Sequence, residues 1–174
     1  MNQSLFDRDY ILWGFMSSQK NKEIIINFYK SFDNRQMDEA MELLSHDFVA
    51  HLSGVTQPLN AEEFKQFGME FYLAFSQGKH IFDEIITAED KVITYGTFIA
   101  THSGNFQGLP ATGKQIRLSI MHIDRTENGK IVEHWGQGDA MGLMQQLGIL
   151  FIPSPKLLLL ILRGFIFKLF AKSI

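Results

Sequence analysis

The chain contains no cysteine among its 174 residues. That excludes disulfides, thiolate nucleophiles and cysteine-ligated metals, and it suits a reducing cytoplasm. Net charge is also nearly absent, since 16 Lys and Arg against 19 Asp and Glu leave a formal −3. A general nucleic-acid binder would carry a basic excess, so no nucleic-acid partner is expected. Several motifs are missing. Gly104, Gly108 and Gly113 do not form a GxGxxG between a strand and a helix. There is no GxSxG elbow and no HExxH, and the six His residues are scattered. No metal and no cofactor are expected; acid/base chemistry or plain binding is left. A secretory leader is not legible either, because Tyr10 to Phe15 is too short an apolar stretch and follows Asp7, Arg8 and Asp9. Residues 1–20 read as an extension expected to be flexible, with Met16 as an alternative start.

What is present is ordinary globular material, 45% hydrophobic and 20% charged, enough for one domain with a normal core. The 16 Phe residues suit both a core and an apolar pocket. Ile24, Ile25, Phe28 and Phe32 recur at helical spacing over 21–32. Asp38 reads as the cap of a second helix carrying Ala40, Met41, Leu43 and Leu44, and Phe48 to Leu52 as a short strand. Asn60 and Glu63 form a capping-box signature for a third helix. Its stripe Phe64, Phe67, Phe71, Phe75 reads first of all as core. Beyond Gly78 the pattern turns to strands. His80 to Ala88 and Lys91 to His102 flank Glu89 and Asp90; Lys114 to Arg125 and Lys130 to Trp135 flank Glu127, Asn128 and Gly129. Helices followed by hairpins predict an α+β domain over 21–153, a curved antiparallel sheet wrapped over N-terminal helices around a pocket.

The tail over 154–174 stands apart. Leu157 to Leu162, Phe165 to Phe167, Leu169 and Phe170 are interrupted by Lys156, Arg163, Lys168 and Lys172, with no acidic residue. The run is too short, and Arg163 too central, for a spanning helix. Two readings stay open: a helix lying in a membrane interface, which would attach an otherwise cytoplasmic protein through 156–174, and a helix docked on a partner subunit.

Two stretches carry the most information: THSGNFQGLPATGKQ from Thr101, and MHIDRTENGKIVEHWGQGDAMGLMQQLG from Met121 to Gly148. With NFYKSF at Asn27 and DFVAH at Asp47, they resemble the SnoaL-like polyketide cyclase, or ester cyclase, family. The resemblance covers about residues 20–153. It implies a cone-shaped fold of the nuclear transport factor 2 and ketosteroid isomerase type. It also implies intramolecular aldol closure of a small, hydrophobic, carbonyl-rich substrate without a cofactor. The family's catalytic Asp matches Asp139, and by analogy a homodimer is expected. The chain departs from many relatives at Gly136, where they have Asp, and near Tyr95, where they have Arg.

Spacing alone reads Asp139 as the cap of the helix over 140–147, whereas the resemblance makes it the general base. Both roles can coexist. His122 is the second catalytic candidate, able to polarise a carbonyl or orient Asp139. Alternation puts Ile120, His122 and Asp124 on one face, without saying which face meets the pocket. Glu133 and Trp135 share a face that His134 does not, and Trp135 is taken as a pocket wall. His51, His102, Tyr29 and Phe32 complete the expected substrate contacts. A non-catalytic lipid- or polyketide-binding protein of the same fold is the main rival. A water-activating hydrolase would need a second carboxylate, which the sequence does not single out.

Overall fold

Helical spacing is realised first in α1 (Gln3–Asp33), which buries Ile25, Phe28, Tyr29 and Phe32. The structure, a computed structural model, describes residues 3–149, 152 and 154–171. The helix begins upstream of the periodic stretch at 21, since no proline interrupts the segment before it. A short α2 (Met37–Glu42) follows. Its N-terminus differs from the sequence reading: Gln36 precedes the helix, and Asp38 instead pairs with Lys65 at 2.7 Å. Leu44 also leaves the helix and opens β1 (Leu44–Leu52), because β1 runs parallel to β5 (Lys130–Gly138) from Leu44 opposite Ile131.

α3 (Ala61–Ala74) starts with the expected capping box. Asn60 Oδ1 accepts from Glu63 N at 3.0 Å, and Glu63 Oε2 accepts from Asn60 N at 2.9 Å. Its aromatic stripe is only partly core. Phe64 is buried, Phe71 packs against the core and Phe67 is 41% exposed, while Phe75 is core but lies past the helix in β2 (Phe75–Ala88). Both predicted hairpins form: β2 with β3 (Lys91–His102), and β4 (Gln115–Glu127) with β5 around Asn128 and Gly129, each at positive φ. The sheet order is β1-β5-β4-β3-β2, antiparallel except at the β1 edge. α4 (Ala140–Leu147) closes the domain, and α5 (Pro155–Ala171) follows.

Two irregularities shape the sheet. In β2 the register shifts between Phe82 and Glu84, opposite Gly96 on β3. A Cβ at Gly96 would lie 2.1 Å from the Ile81 carbonyl oxygen, so glycine permits the strands to cross closely here. In β5, Ile131 pairs with Thr126 and Glu133 with Arg125, leaving Val132 as the extra residue of a bulge. The phase of the strand flips at that point. Ile131, His134 and Gly136 therefore face the helices, together with Ile120, His122 and Asp124 of β4.

Candidate active site

Between the concave sheet face and α1 and α3 lies a cavity of about 340 Å³. Its wall is largely aromatic, from Phe28, Tyr29 and Phe32 on α1, Phe64 and Phe71 on α3, and Phe98 on β3. Three histidines interrupt this apolar lining: His80, His122 and His134. They form a row, with ring centroids 5.9 Å apart for His80 and His122 and 5.4 Å for His122 and His134.

The two outer histidines are each held by a carboxylate. Sheet register sets Asp124 opposite His134, and His134 Nδ1 lies 2.8 Å from Asp124 Oδ1. Asp124 is wholly buried, and its other oxygen accepts from the Tyr29 hydroxyl at 3.1 Å. A carboxylate only accepts, so this geometry assigns the His134 proton to Nδ1 and leaves the Nε2 lone pair free. Gly136, two residues on, keeps that nitrogen uncovered: a Cβ there would lie 2.9 Å from Nε2. At the other end of the row, Asp33 Oδ1 lies 2.7 Å from His80 Nδ1, and Asp33 Oδ2 accepts from the His80 backbone at 2.9 Å. Tyr72 adds its hydroxyl to Asp33 at 2.8 Å.

His122 stands between them without a carboxylate. Its ring stacks on Tyr29 at 5.1 Å, and Thr94 Oγ1 is 3.4 Å from its Nδ1. Burial first, then the charges that His134 and His80 would carry, hold its imidazole well below the ordinary 6.5. Burial and the neighbouring Asp124 push the Tyr29 phenol well above its ordinary 10. Both groups are therefore neutral hydrogen-bonding partners near pH 7.

The depressed imidazole has a thermodynamic consequence. An unfolded chain takes a proton at His122 as pH falls through about 6.5, and the folded protein refuses it, so the unfolded state binds more protons. Stability should decline below about pH 6.5 and level off only once the folded imidazole also protonates. Urea unfolding of wild type and His122→Phe across that range should give a shallower slope for the variant. Parallel profiles would mean His122 carries no such linkage.

Of the expected site residues, the structure brings His122, Tyr29 and Phe32 into the cavity. It does not bring the other four. Asp139 is exposed, and its Oδ1 accepts from Gly142 N at 2.9 Å as the cap of α4, although its neighbours Gly138 and Ala140 line the cavity. Trp135 lies on the outer sheet face, stacked on His51 at 5.4 Å, because the Val132 bulge turns His134 inward instead. His51 bonds Glu133 at 3.0 Å on that same outer face. His102 is buried but anchors a loop: its Nδ1 accepts from Thr112 N at 3.3 Å, and its backbone N–H donates to Lys114 O at 2.8 Å. The sequence reading missed His134, Asp124, His80 and Asp33 as site residues. Only the first pair left a trace, as polar residues on neighbouring strands of a hairpin. Among the described residues no cluster of His, Asp or Glu could hold a metal ion.

A family model described as SnoaL-like polyketide cyclase matches residues 23–147. The aklanonic acid methyl ester cyclase DauD from Streptomyces sp. (strain C5) is 26% identical over 134 residues, covering 72% of this chain and 80% of DauD. Among solved structures, AclR from Streptomyces galilaeus, a putative hydroxylase, superposes with a TM-score of 0.71 at 22% identity, over 77% of this chain and 99% of AclR, a likeness of fold. IdmH from Streptomyces antibioticus gives 0.68 at 26% identity, over 74% and 99%.

Proposed function

Because the chain belongs to the SnoaL-like polyketide cyclase family, we propose that it closes a ring in a small, hydrophobic, polyketide-like substrate by an intramolecular aldol-type condensation. The acid/base work falls to its own side chains. The observation that carries this reading is the buried Asp124–His134 pair, whose free Nε2 opens at Gly136 into an aromatic cavity. A carbon acid flanked by carbonyls gives its proton to His134 Nε2, and Asp124 stabilises the imidazolium that results. The enolate then attacks a second carbonyl of the same substrate, forming the new C–C bond. Neutral His122 hydrogen-bonds the oxygen on which charge develops. The resulting alkoxide takes a proton back from His134, so the product is an isomer of the substrate and the enzyme is restored.

Asp139, the residue indicated by the family resemblance, serves in this reading as a helix cap beside the cavity mouth. The Phe-rich wall supports a hydrophobic substrate by excluding water, which strengthens each polar contact inside.

The reading is tested by proton exchange in D₂O. β-Keto esters and anthraquinone-type precursors are incubated with the protein, and loss of the acidic C–H signal is followed by NMR. Catalysed exchange above the buffer rate is expected, and its products should then be searched for the cyclised isomer. Ligands that bind with no exchange above background would overturn the enzyme reading in favour of a non-catalytic binding protein.

A further inference from the structure

We propose that α5 seats this protein on an anionic lipid surface, with its leucines at the acyl boundary and its cations among the lipid phosphates. The inference is independent of the chemistry assigned to the cavity.

The first observation is exposure. Every residue from Pro155 to Arg163 is exposed, and the six consecutive apolar side chains Leu157 to Leu162 are each between 44% and 62% open. No other apolar run of this length faces solvent between residues 17 and 149. A contiguous apolar surface of this kind marks a place where something else docks.

Charge selects the occupant. Between Ala140 and Ile174 there is no Asp or Glu, whereas Lys156, Arg163, Lys168 and Lys172 all fall there. The chain as a whole is −3, so its acidic excess lies entirely before α5. Pairing α5 with α5 of a second copy would set cations against cations with no anion to relieve them. A membrane leaflet with anionic lipids supplies both missing components, an apolar layer and a plane of negative charge.

Length and spacing exclude spanning and favour lying flat. The 17 residues of α5 rise about 25 Å, short of the roughly 30 Å hydrocarbon core. Arg163 would also sit near the bilayer centre, which is costly. Leu158, Ile161 and Leu162 follow an i, i+3, i+4 spacing that gives one side of the helix an uncharged seam. Lys156 and Arg163, seven residues apart, share a different side and can snorkel outward.

The test is flotation of the full-length protein with vesicles of phosphatidylcholine alone and of phosphatidylcholine mixed with phosphatidylglycerol. Wild type should float with the mixed vesicles and be released by high salt. The double variant K156Q/R163Q should partition about thirtyfold more weakly, the equivalent of about 1 kcal/mol per cation. L158E/L162E should not float at all; both positions are exposed, and circular dichroism will verify that the fold is kept. Failure of wild type to float with anionic vesicles overturns the proposal, as does L158E/L162E floating like wild type. A wild-type dimer seen by light scattering, split by L158E/L162E while neither floats, would assign α5 to self-association instead.

Discussion

Replacing His134 with Gln slows proton removal from the substrate roughly 10²- to 10⁴-fold, the range that a positioned general base contributes. Gln keeps much of the volume and polarity of the ring but offers no basic nitrogen. Asp124→Asn should reproduce most of the loss by a different route. An amide turned toward His134 Nδ1 can donate, which shifts the imidazole proton to Nε2 and removes the lone pair from the cavity. In both variants the defect should fall on kcat more than on KM, since the aromatic walls that bind substrate are untouched. Asp139→Asn is the decisive companion. Asn caps a helix as well as Asp does, so stability should hold, and exchange should stay close to wild type. Asp139→Ala should cost about 1 kcal/mol of stability with little effect on exchange. The reverse outcome, an inert Asp139→Asn beside an active His134→Gln, would return the base to Asp139 and leave His134 as a buried structural residue.

Gly96→Ala lowers the unfolding free energy by about 3 kcal/mol, the upper part of the range for overpacking a close contact. The added methyl would meet the Ile81 carbonyl oxygen at 2.1 Å and the Phe82 Cα at 2.8 Å. Both are backbone atoms, so no rotamer change can relieve the clash and the strands must separate. That contact sits where the β2 register shifts, and His80 lies two residues before Phe82 on the same strand. Separation should therefore disturb the His80–Asp33 pair as well as the hairpin. Urea unfolding measures the first effect, and the His80 imidazole resonances report the second. An unchanged midpoint would show that β2 does not press on β3 at this point.

Much of the architecture was legible because it rests on local chemistry. Asn128 and Gly129 accept positive φ, which makes the β4–β5 turn readable without any long-range information. The Asn60–Glu63 box is likewise complete within four residues. The parallel β1–β5 pairing was not readable, since it joins segments about 85 residues apart and leaves no local mark. At the site, alternation separates Trp135 from His134 without saying which of them faces inward, and the extra residue Val132 brings His134 to the same side as the buried Ile131. Asp139 illustrates a different limit. Its position before a helix reads as a cap, which its bond to Gly142 realises, but a cap and a catalytic carboxylate can be the same residue, so the exchange rate of Asp139→Asn decides between them. Asp33 and His80 escaped notice because a helix end and a strand interior meet only through the tertiary fold.

Gly136 sets how far the cavity reaches toward the ring of His134. The basic nitrogen of His134 reaches the cavity past a position that carries only hydrogen, and the same space also adjoins Leu52. A side chain there would meet His134 Nε2 at 2.9 Å and Leu52 Cδ2 at 2.8 Å, so the imidazole or the leucine would have to give way. Access to the ring nitrogen therefore hangs on one backbone position of β5, while the Asp124 and Tyr29 contacts that hold the ring lie elsewhere.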